Sequence, residues 1–186
     1  MSVFINQKDI IIPEVIAYKN INNVEILLME WIDMKNFDQK KLGKGLGEMH
    51  LQSSETNPKT FGFPVEGFIG ITNQKKGWEN DWIDCFLNLR IKPQLSILKN
   101  NVLDIDTINK LKEKIKLELF NHKPINSLVH GDLWSGNVGA EKSGKGVIFD
   151  PASWWADNEV DIAMTKLFGG FRKEFYEEYN RVIPLR

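Results

Sequence analysis

Apolar positions follow three different rhythms along the chain. Residues 10–18 and 24–29 are two nearly continuous, β-branched runs parted by Lys19-Asn20-Ile21-Asn22-Asn23, which predicts a hairpin with an asparagine-rich turn. The second run is so unbroken that burial on both faces is expected of it. From Asp38 onward Leu42, Leu46 and Met49 recur at helical spacing, while Gly43, Gly45 and Gly47 lower helix propensity and let another backbone come close. Residues 53–76, rich in glycine, proline and polar side chains, read as a long connecting loop. Trp78, Trp82, Phe86 and Leu89 then step at helical spacing and predict an aromatic stripe in the core, with a break near Pro93. A further helix starts with Asp104 or Asp106 as its cap, runs through Ile108, Leu111, Ile115 and Leu119, and stops before Pro124. Beyond it the rhythm changes to short strands at 127–130 and 147–149. A last helix, marked by Val160, Ala163, Met164, Leu167 and Phe168, ends at Gly169-Gly170 and leaves a short amphipathic piece around 175–179.

Composition narrows the function classes. A chain of 186 residues can bury a real core. No apolar run approaches the roughly 20 residues of a membrane span, and the first residues lack the pattern of a secretory signal, so a cytoplasmic protein without membrane contact is expected. The net charge of -1, with both signs interspersed even through the lysine-rich 110–116, argues against a nucleic-acid surface. The single cysteine, Cys85, forbids an internal disulfide, and its apolar neighbours suggest a buried thiol. His50, His122 and His130 are too scattered to propose a metal cluster.

The candidate chemistry is concentrated in His130-Gly131-Asp132-Leu133-Trp134-Ser135-Gly136-Asn137 and in Val147-Ile148-Phe149-Asp150-Pro151-Ala152. A strand ending at His130 delivers Asp132 on a loop. A tight turn through Trp134, Ser135 and Gly136 can then return Asn137 beside it, and the next strand ends at Asp150. Asp132 is thus offered as a proton acceptor, with Asn137 and Asp150 as oxygen ligands for a hard cation, the parts that phosphoryl transfer needs. Taken singly, an Asp at a strand end is usually a turn or cap residue; the joint pattern carries the chemistry.

HGDLWSGN, IFDPASWW and DIAMTKLFGGF together resemble the fructosamine kinase family, also called ketosamine 3-kinases, within the protein-kinase-like and aminoglycoside-phosphotransferase fold. Leu28-Met29-Glu30-Trp31-Ile32 resembles that family's hinge strand, and residues 41–50 resemble the helix after it. Phe61-Gly62-Phe63, Asn73-Gln74 and Trp78-Glu79-Asn80-Asp81-Trp82 resemble its long insert. The resemblance implies an α+β, two-lobe fold: residues 1–33 as an incomplete small lobe and hinge, residues 34–186 as a mostly helical large lobe truncated at its C-terminal end. It implies ATP and Mg2+ as cofactors. The acceptor would be the 3-hydroxyl of a sugar joined through its first carbon to an amine, free or on a protein, in a deglycation step. Asp132 would be the catalytic base and Asn137 and Asp150 the metal ligands. The backbone around Met29, Glu30, Trp31 and Ile32 would meet adenine, and Asp161 would be the buried acid that fixes the catalytic loop. Trp134, Trp154 and Trp155 could wall the sugar site, with packing an equal alternative for Trp134.

The family's glycine-rich phosphate loop, its strand lysine and that lysine's glutamate partner are not recognisable before the hinge. Lys8 and Glu14 lie outside the strand and helix context those roles need. A partial or split member is therefore expected, with weak or no turnover, since one lost preorganised donor typically lowers turnover by about 10²- to 10³-fold. The edge of the second predicted strand would be exposed and open to association, including with a missing small-lobe fragment. Trp154-Trp155-Ala156 and Pro64 depart from the usual substrate wall and leave substrate preference open. Two other functions stay in view: a non-catalytic remnant that binds nucleotide or a partner, and a small-molecule phosphotransferase of the aminoglycoside or choline kinase type. The Asp81-Trp82 segment and DPAS speak against the second of these.

Overall fold

The computed structural model describes residues 8–34, 38–98 and 104–186. Strand β1 (Ile10–Ile11) leads into a hairpin of β2 (Val15–Ile21) and β3 (Val24–Met29). Asn22 and Asn23, both left-handed (φ 52° and 64°), make its turn, the conformation that favours asparagine over bulkier residues. The hairpin is where expectation and structure part. Among the described residues β3 pairs only with β2, and all six of its residues are exposed. An unbroken apolar run reports the capacity to be buried; burial itself needs elements packed on both faces, and among the described residues none is there.

Helix α1 (Gln39–Glu55) opens with Asp38, whose carboxylate accepts from the Lys40 and Lys41 N–H groups. Its glycines serve close packing. A Cβ on Gly43 would stand 2.1 Å from the Phe175 carbonyl oxygen, and one on Gly47 would stand 2.9 Å from Val182 Cβ. Residues 53–76 are more ordered than a loop. The helix continues to Glu55, and the rest holds the short strands β4 (Phe61–Phe63), β5 (Gly67–Ile69) and β6 (Thr72–Gln74). Trp78 likewise lies on a strand, β7 (Gly77–Glu79), rather than on a helical stripe.

Helix α2 (Trp82–Cys85), capped by Asp81, runs through a π-helical turn (Phe86–Ile91) into α3 (Lys92–Leu98), so Pro93 lies inside a continuous helical run rather than at a break, and the Leu89 carbonyl four residues before it accepts from Arg90 Nη1 instead. Helix α4 (Ile105–Leu119) takes Asp104 as its cap. Then come β8 (Asn126–Val129), a 3-10 turn (Ser135–Asn137), β9 (Val138–Ala140), β10 (Gly146–Ile148) and β11 (Trp154–Asp157). Helices α5 (Glu159–Phe168) and α6 (Lys173–Val182) complete the α+β fold.

β1, β10 and β9 form one sheet, with β1 parallel to β10; β7, β4, β11 and β8 form another, antiparallel throughout. Two apolar cores follow from this. Ile10, Leu42, Leu46, Ile148, Phe175 and Tyr179 gather between α1, α6 and the first sheet. Phe61, Trp82, Cys85, Leu89, Val129 and Trp154 gather behind the second. Burial pushes the Cys85 thiol up to about 12, so it behaves as a small apolar group. No helix among the described residues is long and apolar enough to cross a membrane.

Candidate active site

The loop after β8 is pinned before it carries chemistry. Asp161, on the first turn of α5 and fully buried, accepts the His130 N–H at Oδ2 (2.7 Å) and the Gly131 N–H at Oδ1 (2.8 Å). His50 reaches the same Oδ2 through Nε2 at 3.1 Å, and its Nδ1 accepts from the Tyr179 hydroxyl at 2.8 Å. That hydroxyl accepts in turn from the Asn158 amide at 2.8 Å. Asn158, Tyr179, His50 and Asp161 therefore form one buried relay whose end is the backbone of the loop. Burial alone would raise the Asp161 carboxyl, but the hydrogen bonds it accepts from His50 and from the Gly131 N–H outweigh it and hold the carboxyl below its ordinary range.

Gly131 has φ +83°, and a Cβ there would meet the Ala152 carbonyl oxygen at 2.2 Å. The His130 carbonyl accepts the Ala152 N–H at 2.9 Å. The loop and the segment after β10 are thereby clasped together. Buried His130 joins them from the inside: its Nε2 donates to the Phe149 carbonyl (2.9 Å) and its Nδ1 accepts from the Asp132 N–H (3.3 Å). Burial lowers the His130 pKa against the opposing pull of Asp161, Asp132 and Asp150, so the ring is neutral in the role its contacts require.

Asp132 and Asn137 meet in this frame. The 3-10 turn returns the chain, and Asn137 Nδ2 donates to the Asp132 carbonyl (2.9 Å) and to its Oδ2 (3.1 Å). With the amide protons spent there, Oδ1 of Asn137 is the atom left for a cation. The Phe149 N–H bonds to the Asn137 carbonyl at 3.1 Å, so Asp150 emerges one residue from that anchor. Asp150 is exposed and has φ +56°, an uncommon backbone state for a residue with a side chain, of the sort that gathers at functional sites. Among the described residues no three His, Cys, Asp or Glu side chains form a metal cluster. One amide oxygen and one or two carboxylates suit a hard cation that takes its remaining ligands from phosphate and water.

At the far end of the β9–β10 hairpin, Glu30, Trp31 and Ile32 line an open cleft of about 200 Å3 against Glu141 and Lys142. Met29 ends β3 and is not part of that lining. Trp134 is partly exposed, its ring folded over Gly136 and 6.1 Å from Phe168. Trp154 is buried against Trp82, a core residue rather than a wall of the cavity beside Pro151, Ala152 and Ser153. His50, Tyr179 and Asn158 were not singled out from sequence, since residues so far apart along the chain carry no local signature of a shared network.

Comparison with known proteins gives a consistent picture. The family model described as fructosamine kinase matches residues 1–186. A probable ketoamine kinase of Vibrio parahaemolyticus is 38% identical over 180 residues, covering 95% of this chain and 61% of the relative. The chloroplastic protein-ribulosamine 3-kinase of Arabidopsis thaliana is 37% identical over 163 residues, covering 85% of this chain and 49% of the relative. The crystal structure of a candidate fructosamine-3-kinase from Haemophilus somnus superposes with a TM-score of 0.84 at 28% identity, covering 96% of this chain and 60% of that one. The chain thus spans about half to three fifths of the length of these relatives.

Proposed function

The chain belongs to the fructosamine kinase family, and from that premise we propose that it carries the ATP- and magnesium-dependent site of a ketosamine 3-kinase. The observation that carries this reading is the meeting of Asp132 and Asn137 on one loop, with Asp150 one residue beyond the bond between Phe149 and Asn137. Residues 1–33 are assigned to the small lobe and hinge and residues 34–186 to the large lobe.

In this assignment Asp132 accepts the proton of the sugar's 3-hydroxyl as the oxygen attacks phosphorus. The Asn137 amide orients the Asp132 carboxylate by donating to Oδ2. Asn137 Oδ1 and the Asp150 carboxylate hold Mg2+, which when bound neutralises charge on the transferring phosphoryl group. Backbone groups of Glu30, Trp31 and Ile32 meet adenine in the cleft they line, while Met29, paired with Val15, stands just outside it. Three-residue strands separate the Glu30–Ile32 cleft from the Asp150 end by about 10 Å at the usual rise per residue, a span an extended nucleotide can bridge. Asp161 positions the loop without touching substrate. A cytoplasmic setting accords with the free, buried Cys85 thiol.

The test is titration with Mg-ATP followed by a coupled ADP assay on ribulosamine and fructosamine adducts. Nucleotide binding and turnover that Asp132→Asn abolishes are expected. Binding without turnover, unchanged by Asp132→Asn, would instead support a nucleotide-binding remnant. That second reading draws on the β2–β3 ribbon, which is exposed at every residue but Ala17 beside the proposed hinge.

A further inference from the structure

The residues just after Asp150, Pro151 to Ser153, line a second cavity of about 210 Å3 together with Phe63, Phe68, Glu66, Gln74 and Arg90 among others. Nothing in the mechanism above uses it. Three of its polar groups keep unused hydrogen-bonding capacity.

Arg90 is the first. It lies in the π-helical turn, a widened turn of the kind that recurs at functional sites. Its guanidinium stacks 3.9 Å from the centre of the Trp154 ring, and Nη1 donates to the Lys75 and Leu89 carbonyls. Five N–H donors belong to this group, and no acceptor among the described residues meets those on Nη2 and Nε. No carboxylate among the described residues lies within ion-pair distance of it. Burial brings its pKa down to about 10, as expected of a cation held without a counter-charge. The second is Ser153, whose Oγ is buried with no hydrogen-bond partner. The third is Gln74, itself buried, whose amide makes only long contacts of 3.4 and 3.5 Å to the Thr72 and Asn73 carbonyls.

A fixed guanidinium fork, a free hydroxyl and a loosely held amide around one small cavity are complementary to a planar anion. Glu66 adds a carboxylate on the exposed rim, engaged only by Asn73 Nδ2 at 3.4 Å. An anion inside and a cation at the mouth, two bonds apart, describe the carboxylate and secondary ammonium of an α-amino acid. We propose that this cavity receives the carboxylate of an α-amino acid joined to the sugar, with Arg90, Ser153 and Gln74 as its donors and Glu66 facing the ammonium. The inference rests on the ketosamine reading and deepens it: the favoured acceptors are adducts of free amino acids, and adducts on lysine side chains, which lack a carboxylate beside the ammonium, fit less well.

The experiment is calorimetric titration of the 186-residue chain, with Mg-ATP present, using three probes. These are the fructose adduct of glycine, the fructose adduct of methylamine, and the ε-adduct of an N-acetyl-lysine amide. The glycine adduct is expected to bind about tenfold to a hundredfold more tightly than either probe that lacks the carboxylate, the scale of hydrogen bonds to a charged group. Arg90→Gln is expected to remove that difference while the methylamine adduct binds as it does to the unaltered chain; Arg90→Lys, which keeps the charge and loses the fork, is expected to retain part of it. Equal affinity for the three probes overturns the proposal, as does failure of all three to bind, or an Arg90→Gln variant that still discriminates. Should Arg90→Gln not fold, the comparison of probes on the unaltered chain decides alone. Separate titration with Mg-ATP keeps the two readings apart: no nucleotide binding sinks the phosphotransfer assignment, whereas equal affinities with nucleotide bound sink only the carboxylate site.

Discussion

Replacing Asp161 by Asn tests the frame on which the loop depends. Asn is nearly isosteric, so packing in the α5 core changes little and the effect is electrostatic. Oδ2 of Asp161 accepts from the His130 N–H and from His50, and Oδ1 accepts from the Gly131 N–H. An Asn carbonyl can serve one side only; its NH2 must then face a backbone N–H or the His50 ring as a donor against a donor. One charge-assisted bond is lost, worth about 1.5–3 kcal/mol, and a buried N–H is stranded at about 1–3 kcal/mol. The relief of no longer burying a charge offsets part of this, but the depressed carboxyl shows that its contacts outweigh that cost. A net loss of about 3 kcal/mol is expected, a large share of the stability of a domain this size. Urea unfolding followed by tryptophan fluorescence measures it. The linkage has a definite sign: a carboxyl held low in the folded state contributes fully above its unfolded value near 4 and loses that contribution as pH falls through the folded pKa. The acid limb of the wild-type stability curve should therefore flatten in Asp161→Asn. A loss below about 1 kcal/mol with an unchanged acid limb would refute the claim that Asp161 anchors the loop.

Gly43→Ala should cost more than 2 kcal/mol or prevent folding, because its Cβ would sit inside the Phe175 carbonyl contact, whereas Gly67→Ala, with open space around it, should change the urea midpoint little. Burial depresses the pKa of His130, so its neutral form is worth most near neutrality and stability is lost as pH drops below about 6.5; midpoints at pH 7.5 and 5.5 should differ less in His130→Asn. β3 holds one charge, Glu25, which the Tyr18 hydroxyl engages at 2.8 Å, so among the described residues nothing blunts strand addition at its outer edge. Concentration-dependent association in size-exclusion chromatography is expected, and Leu27→Lys should suppress it; a monomer at all concentrations would refute this.

Much of the fold was legible because its signals are local. Asp38 and Asp104 cap helices by bonding N–H groups two or three residues on, and the 3.6-residue rhythm of Leu42, Leu46 and Met49 reports the face of α1 that is buried. The spacing of Asp132 and Asn137 set a tight turn that brings the two side chains into contact, since five residues leave the backbone few alternatives. Residues 53–76 were misread for the opposite reason. β4 is a strand because β7 and β11 pair with it, and β11 follows far downstream.

What the sequence determined by itself was the chemistry on offer: the residues proposed as proton acceptor and oxygen ligands, and the short loops that carry them. Tertiary structure decided which side chains share an environment. The relay from Asn158 through Tyr179 and His50 to Asp161 joins three helices, α1, α6 and α5 with its N-cap, and Arg90 and Ser153 meet at one cavity only because the π-helical turn and the segment before β11 pack together. It also decided that β3 is exposed. Hydrophobicity is a property of residues, whereas burial is a property of what packs against them.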